Sequence, residues 1–168
     1  MIRSLRLAAV VAALSQAGCT LENAEVAPAH FSAQVFVCDV QPVLARECAF
    51  PACHGNTSRR LRVLAPGRMR LAEDYAAARS HMTLEDIEAG IQPPLTPNEV
   101  RFNFDQAVAV SSDPTERQML TRPLSRAAGG TTHASAIGGD VFDSPDAAGY
   151  RAIERWLDGE DTCTGAPQ

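Results

Sequence analysis

The residues with most chemistry to offer stand together in Cys48-Ala-Phe-Pro-Ala-Cys53-His54-Gly55: two thiols, the second followed at once by an imidazole. Three chemistries can use such a set. In an oxidising compartment the thiols can close a small disulfide loop. Thiolates and an imidazole can hold zinc, although adjacent Cys53 and His54 chelate a tetrahedral ion awkwardly. Two thiols and a following histidine can also attach a haem, the thiols as thioethers and the imidazole as an iron ligand. The usual spacing for that is C-x-x-C-H, whereas here Ala49 to Ala52 separate the cysteines. Only the cysteine next to the histidine stands in a fixed relation to iron, so a longer spacer is tolerable if it loops out. Pro51 favours this by preventing a regular helix through the spacer.

A haem iron needs a second axial ligand, or else keeps an open face. The remaining histidines are His30, His81 and His133, and the methionines beyond the N-terminal segment are Met69, Met82 and Met119. His30 lies in a polar stretch near the start, and Met82 continues a helical stripe beside His81. Met69 sits between arginines, and Met119 precedes Leu120 in an apolar segment that packing explains. His133 has no such explanation, because it follows Gly129-Gly130-Thr131-Thr132 in a loop without apolar periodicity. His133 is therefore the distal candidate, with Met119 the alternative.

The N-terminus places these groups outside the cytoplasm. Met1-Ile-Arg-Ser-Leu-Arg leads an apolar Leu, Ala and Val run that ends in Gln16-Ala17-Gly18-Cys19. That is the charged region, short apolar region and small-residue cleavage site of an export signal, and it is shorter than the roughly 20 residues a membrane span needs. The small-small-Cys ending is similar to a bacterial lipobox, with Gln16 where an aliphatic residue is preferred. Cys19 is then the lipidated first residue of the mature chain, and its acyl chains anchor the domain at a membrane. The expected divisions are residues 1–18 as signal, 19–34 as lipidated cysteine and tether, 35–163 as the domain and 164–168 as tail. The expected location is the cell envelope, facing the periplasm or the outer surface.

Charge and cysteine count fit that setting. Loss of Arg3 and Arg6 with the signal takes the formal charge from −5 to −7, which argues against nucleic acid as a partner. All fifteen permanently basic side chains are arginine, and one cluster stands out: Arg59, Arg60, Arg62, Arg68 and Arg70. It reads as a solvated loop, with Arg59, Arg60 or Arg62 close enough to pair with a haem propionate. Of five cysteines, lipid takes Cys19 and the motif takes Cys48 and Cys53, leaving Cys38 and Cys163 to pair. In the chain-entropy model a loop that long gives about 4–5 kcal/mol.

The elements that must position these groups read as helices between long loops. Asp39 caps a helix over 39–48 with Val40, Val43, Leu44 and Cys48 on one face. A second helix covers 71–82 with Leu71, Tyr75, Ala78 and Met82 as its stripe. A third opens on the capping box Thr96-Pro97-Asn98-Glu99 and carries Val100, Phe104 and Val108. Ser144 caps the last, Gly159 ends it, and Tyr150, Ile153, Trp156 and Leu157 form its face. Gly149 lies inside that helix at a cost of about 1 kcal/mol against alanine, which suggests a close approach by a neighbour. Residues 33–37 could form a short strand. The fold class is mainly α, a small helical domain with long loops.

Several of these segments, in order, carry a resemblance. Val40 to Cys48 followed by Cys53-His54-Gly55 resembles the entry helix and haem site of bacterial cytochrome c domains of the planctomycete and myxobacterial lipoprotein type. Pro94 to Val100 with Asn103-Phe104-Asp105 resembles their middle helix, and Met119-Leu120-Thr121-Arg122-Pro123-Leu124 their leucine-rich segment. Gly129-Gly130-Thr131-Thr132-His133 is similar to their Gly-Gly…His element, although Ala134 to Ile137 intervene before Gly138-Gly139. Tyr150 to Gly159 is similar to their closing helix. The resemblance implies a cytochrome c-like fold and covalent haem c on Cys48 and Cys53, with His54 proximal and His133 distal. It also implies an electron carrier, not an enzyme, served by redox partner proteins of the envelope; a haem with an open distal face would instead suit a sensor or peroxidase. A haem-free, disulfide-stapled lipoprotein acting as a binding or structural module is the alternative. A nucleophile elbow, a Walker loop and a His-Glu-x-x-His pair are all absent from the sequence.

Overall fold

A computed structural model describes residues 30–113, 115–133 and 140–165. The signal, Cys19, Ala134 to Gly139 and the last three residues lie outside them. The described residues form a small, mainly helical domain without strands. None of its helices is long and apolar enough to cross a membrane.

The first helical run, α1, spans residues 33–48 and includes the segment that sequence alone offered as a strand. Ser32, not Asp39, caps it: the Ser32 Oγ accepts from Val35 N–H at 3.3 Å. Two π turns, Phe36–Val40 and Leu44–Cys48, flank Gln41–Val43. Pro42 sits at the junction, where its missing N–H removes a bond that the regular ladder would use. Asp39 is buried within the run, and its Oδ2 accepts from Thr164 N–H at 3.0 Å and Thr164 Oγ1 at 2.9 Å. Burial pushes the Asp39 carboxyl up, but bonds from Thr164 and Gly165 with the charge of Arg155 outweigh it and hold it below its ordinary value. Thr164 is therefore docked on the domain, as are Phe31 and Ser32 at the other end.

Helix α2 is Ala72–Ser80 and α3 is Leu84–Glu88. The expected stripe of α2 is its packed side, but Leu71, Tyr75, Ala78 and Met82 are only half-buried, so this helix is peripheral. Helix α4, Pro97–Val110, has the anticipated capping box between Thr96 and Glu99. Val100, Phe104 and Val108 lie half-buried on it, and the fully buried row is Glu99, Asn103 and Ala107. Helix α5 is Gln118–Thr121, followed by a 3₁₀ turn at Arg126–Ala128. Helix α6 is Ala148–Leu157, starting later than expected: Ser144 shapes the preceding turn, and Ala147 supplies no side-chain cap. Gly159 ends it in the left-handed region, with φ +83°.

The core lies between α1 and α6. Val35, Phe36, Val40, Val43 and Leu44 meet Ala152, Ile153 and Trp156. Trp156 is the centre: its ring lies 4.8 Å from that of Phe31 and 5.5 Å from that of Phe36, and its Nε1 donates to the Ser32 carbonyl at 3.0 Å. Burying each large apolar side chain contributes about 1.5–3 kcal/mol. Gly149 permits the approach of α6 to its neighbours, since a Cβ there would lie 2.9 Å from the Phe142 ring and 3.1 Å from Val43. The Cys38–Cys163 disulfide is formed, tying α1 to the chain beyond α6 across 125 residues.

The arginine cluster divides. Arg70 is 5% exposed and bonds both Glu99 oxygens, at 2.8 and 2.6 Å, while donating to the Pro93 and Pro94 carbonyls. Arg68 stacks on Phe50 at 3.7 Å and donates to the Ala45 carbonyl at 2.7 Å. Arg62 stacks on Phe102 at 5.1 Å. These three are framework, not solvated loop. Arg59 and Arg60 are exposed and line the cavity described below, Arg59 while donating to the Ala52 and Cys53 carbonyls.

Glu99→Ala should cost about 3–5 kcal/mol in a denaturant titration, because it strands a buried guanidinium. Burial pushes the Glu99 carboxyl up, but Arg70 with the Thr96 and Leu71 N–H groups lowers it below its ordinary 4.5. Its contribution is thus complete above pH 4.5 and lost as pH falls below that value through the folded pKa. Acid titration of the wild type should show that loss, and Glu99→Ala should flatten it.

Candidate functional site

The spacer between the two cysteines does loop out. The Ala49 N–H ends α1 on the Leu44 carbonyl at 3.0 Å, and the chain then turns back until His54 N–H bonds the Cys48 carbonyl at 3.0 Å. Cys53 N–H and Gly55 N–H both end on the Phe50 carbonyl, at 2.8 and 2.9 Å. Gly55 is required: a Cβ there would lie 2.0 Å from the Ala49 carbonyl oxygen. Cys48, Cys53 and His54 thereby come to one wall of a cavity of about 300 Å³.

The opposite wall comes from α5 and the loop after it. Gly129 adopts φ +95°, and a Cβ on Gly130 would lie 1.9 Å from the Leu124 carbonyl oxygen. Two glycines are needed for the chain to double back there, where Thr131 N–H bonds the Thr121 carbonyl at 2.8 Å. His133 then reaches the cavity. Its ring lies 5.9 Å from that of His54, centroid to centroid, and the planes differ by 21°. Met119 lines the same cavity from α5, buried in the wall with Pro123, Phe142, Leu44, Ile153 and Val110.

The protonation of the donors is set locally. His54 Nδ1 lies 2.9 Å from the Leu61 carbonyl, so Nδ1 carries the proton and Nε2 the lone pair. Burial lowers the His54 pKa, with His133 and Arg59 adding to the effect against the Leu61 bond. Burial also lowers that of His133, assisted by Arg122 and opposed by Asp140. Both rings are neutral at pH 7 and able to ligate. His133 Nδ1 is buried without a hydrogen-bond partner among the described residues, a cost that a native protein keeps for a reason. Cys48 and Cys53 are free thiols, so the plain disulfide offered by sequence is not formed. Burial pushes the Cys48 thiol up to about 12, which keeps it protonated.

The mouth is cationic on an acidic chain. Among the described residues Arg59, Arg60 and Arg122 line it, and no carboxylate does. In the sequence Arg122 stands out only through the segment Met119-Leu120-Thr121-Arg122-Pro123-Leu124. Leu61, whose carbonyl orients His54, carries no sequence signal at all. His30 is exposed and lies 3.7 Å from Asp161, and His81 is exposed as well. Neither they nor Met69 nor Met82 line the cavity.

No protein-family model, curated protein or solved structure matches the chain. What the cavity can hold is decided by its own donors. Among the described residues no three His, Cys, Asp or Glu side chains gather into a metal cage, so the zinc reading finds no cage here. Two neutral imidazoles with centroids 5.9 Å apart beside two free thiols are a donor pair that a metal with a planar ligand could use. Free thiols beside one imidazole, apolar walls and arginines at the mouth complete a donor set that fits a covalently attached haem.

Thiol alkylation of the haem-free chain under non-reducing conditions should label Cys48 and Cys53 and leave Cys38 and Cys163 untouched until a reductant is added. At pH 8.5 Cys48 should react the more slowly of the two, since its thiolate is scarce. Peptide mass analysis reads both outcomes.

Proposed function

We propose that this chain is an exported, lipid-anchored, monohaem c-type cytochrome-like protein that carries electrons. The observation that carries the reading is the His54–His133 pair, neutral imidazoles 5.9 Å apart across a cavity that also holds two free thiols. The ordered motifs that resemble planctomycete- and myxobacterial-type cytochrome c domains support it, and so does the export signal with Cys19.

Each residue has a part. Cys48 and Cys53 supply the thioethers. His54, its Nδ1 proton held by Leu61, offers the Nε2 lone pair as proximal ligand, and His133 is the distal ligand. Leu44, Val110, Met119, Phe142 and Ile153 exclude water, which strengthens the pull of fixed charges at the site. Arg59, Arg60 and Arg122 line the cavity and would pair with carboxylate side chains of the bound group. A haem bound here supplies a one-electron couple at its iron. His54 and His133 would both hold the group, which would leave no place on it for a substrate and suits a carrier of electrons better than an enzyme. A bis-histidine couple lies lower than the Met/His alternative that Met119 would give. The electrons go to and from partner proteins of the envelope.

The haem-free reading draws on one observation, the Cys38–Cys163 staple, which stabilises the fold with or without a cofactor. Expression of the full chain with cytochrome c maturation machinery separates the two. Covalent haem should survive denaturing electrophoresis and disappear in Cys53→Ser; its absence from the wild type would sink the cytochrome reading. In the same preparation His133→Ala should remove the six-coordinate spectrum or raise the potential by recruiting Met119. A six-coordinate centre with unchanged potential would remove His133 from its assigned place.

A further inference from the structure

The loop bearing the thiols is held by side chains from just beyond it. Asn56 Nδ2 donates to the Pro51 carbonyl at 2.6 Å and to the Cys53 carbonyl at 3.2 Å. Its Oδ1 accepts from Ser58 N–H at 2.9 Å and Ser58 Oγ at 2.5 Å. Arg59 donates through Nε to the Cys53 carbonyl at 3.1 Å and through Nη2 to the Ala52 carbonyl at 3.2 Å. The carbonyls of Pro51, Ala52 and Cys53 all end on these two side chains, in a stretch that no helix or strand supports.

We propose that Asn56 and Arg59 are positioning residues that preform the long spacer so that Cys48 and Cys53 can be attached to the same group; this rests on the haem reading. A spacer two residues longer than C-x-x-C has more backbone freedom to lose when both thiols are presented together. Four side-chain hydrogen bonds remove that freedom in advance, and the Cys48 carbonyl bond to His54 N–H closes the loop. At each attachment the thiol S–H adds across a vinyl C=C. A C–S bond forms, the proton goes to the neighbouring carbon, and no electron is gained or lost. Cys53 is fixed by its neighbour His54, whereas Cys48 reaches its carbon only through the spacer. The clamp therefore matters for Cys48 above all.

The test counts thioethers at each cysteine by peptide mass in the full chain made with the maturation machinery. Asn56→Asp keeps the acceptor for Ser58 and turns both donors into a carboxylate oxygen facing carbonyls. The ratio of Cys48-linked to Cys53-linked peptide should fall about tenfold, the scale set by losing two hydrogen bonds. Arg59→Gln should lower it less, and serves as the second variant if Asn56→Asp does not fold. Parallel loss at both cysteines would mean general destabilisation and overturn the positioning role. An unchanged ratio in both variants would overturn it too. A wild-type chain with no thioether at all refutes the haem reading itself, and with it the role assigned to the clamp.

Discussion

A buried amide on α4 holds the irregular chain that orients the candidate site's His54. Asn103 Oδ1 accepts from Leu64 N–H at 2.8 Å, and its Nδ2 donates to the Leu64 carbonyl at 2.8 Å and to Gln41 Oε1 at 3.0 Å. Val63, Leu64 and Ala65 are buried but belong to no helix or strand, so their backbone groups need partners from outside. Asn103 provides what a neighbouring strand would, Gln106 accepts from Arg62 N–H, and the His54 carbonyl accepts from Val63 N–H. At the near end of the same segment the Leu61 carbonyl holds His54 Nδ1. The register of α4 is thus passed through a length of irregular chain to the imidazole that matters most.

Long loops can be this well ordered because buried polar groups tie them at both ends. Glu99 takes four hydrogen bonds, two from Arg70 and one each from the Thr96 and Leu71 N–H groups, so one carboxylate caps α4 and anchors the chain entering α2. Asp39 does similar work at the other side, receiving Thr164 next to the Cys38–Cys163 bridge. Between these anchors the apolar core is small, and Trp156 fills much of it. The cavity is walled by Leu44 of α1, Met119 of α5 and Ile153 of α6 together with loops whose shape the anchors impose.

Several elements were legible in the chain itself, and the misses have identifiable causes. The Thr96–Glu99 capping box and the Gly159 stop are local signals, and both stand where sequence put them. The start of α1 was missed because Asp39 has the composition of a cap, while its carboxylate is claimed by Thr164, far along the chain. Ser144 likewise has the composition of a cap, but it shapes a turn and the helix begins after Ala147. The stripe of α4 led to its half-buried side, because hydrophobic periodicity cannot see that Glu99 and Asn103 are buried with partners. The arginine cluster looked like a solvated loop for the same reason: the partners of Arg68 and Arg70 come from other segments.

By itself the sequence determined the chemistry available and where it is concentrated. Cys48, Cys53 and His54 are neighbours along the chain, Pro51 keeps their spacer out of a helix, and the cysteine count left Cys38 and Cys163 to each other. Those facts are covalent or local, and no folding is needed to read them. Only the tertiary structure decided that the looped spacer returns Cys48 to His54, that two glycines bring His133 opposite, and that Arg59, Arg60 and Arg122 share one mouth. Such juxtapositions depend on which buried groups satisfy one another across the fold, and hydrogen bonds between distant segments leave no spacing in the sequence to be read.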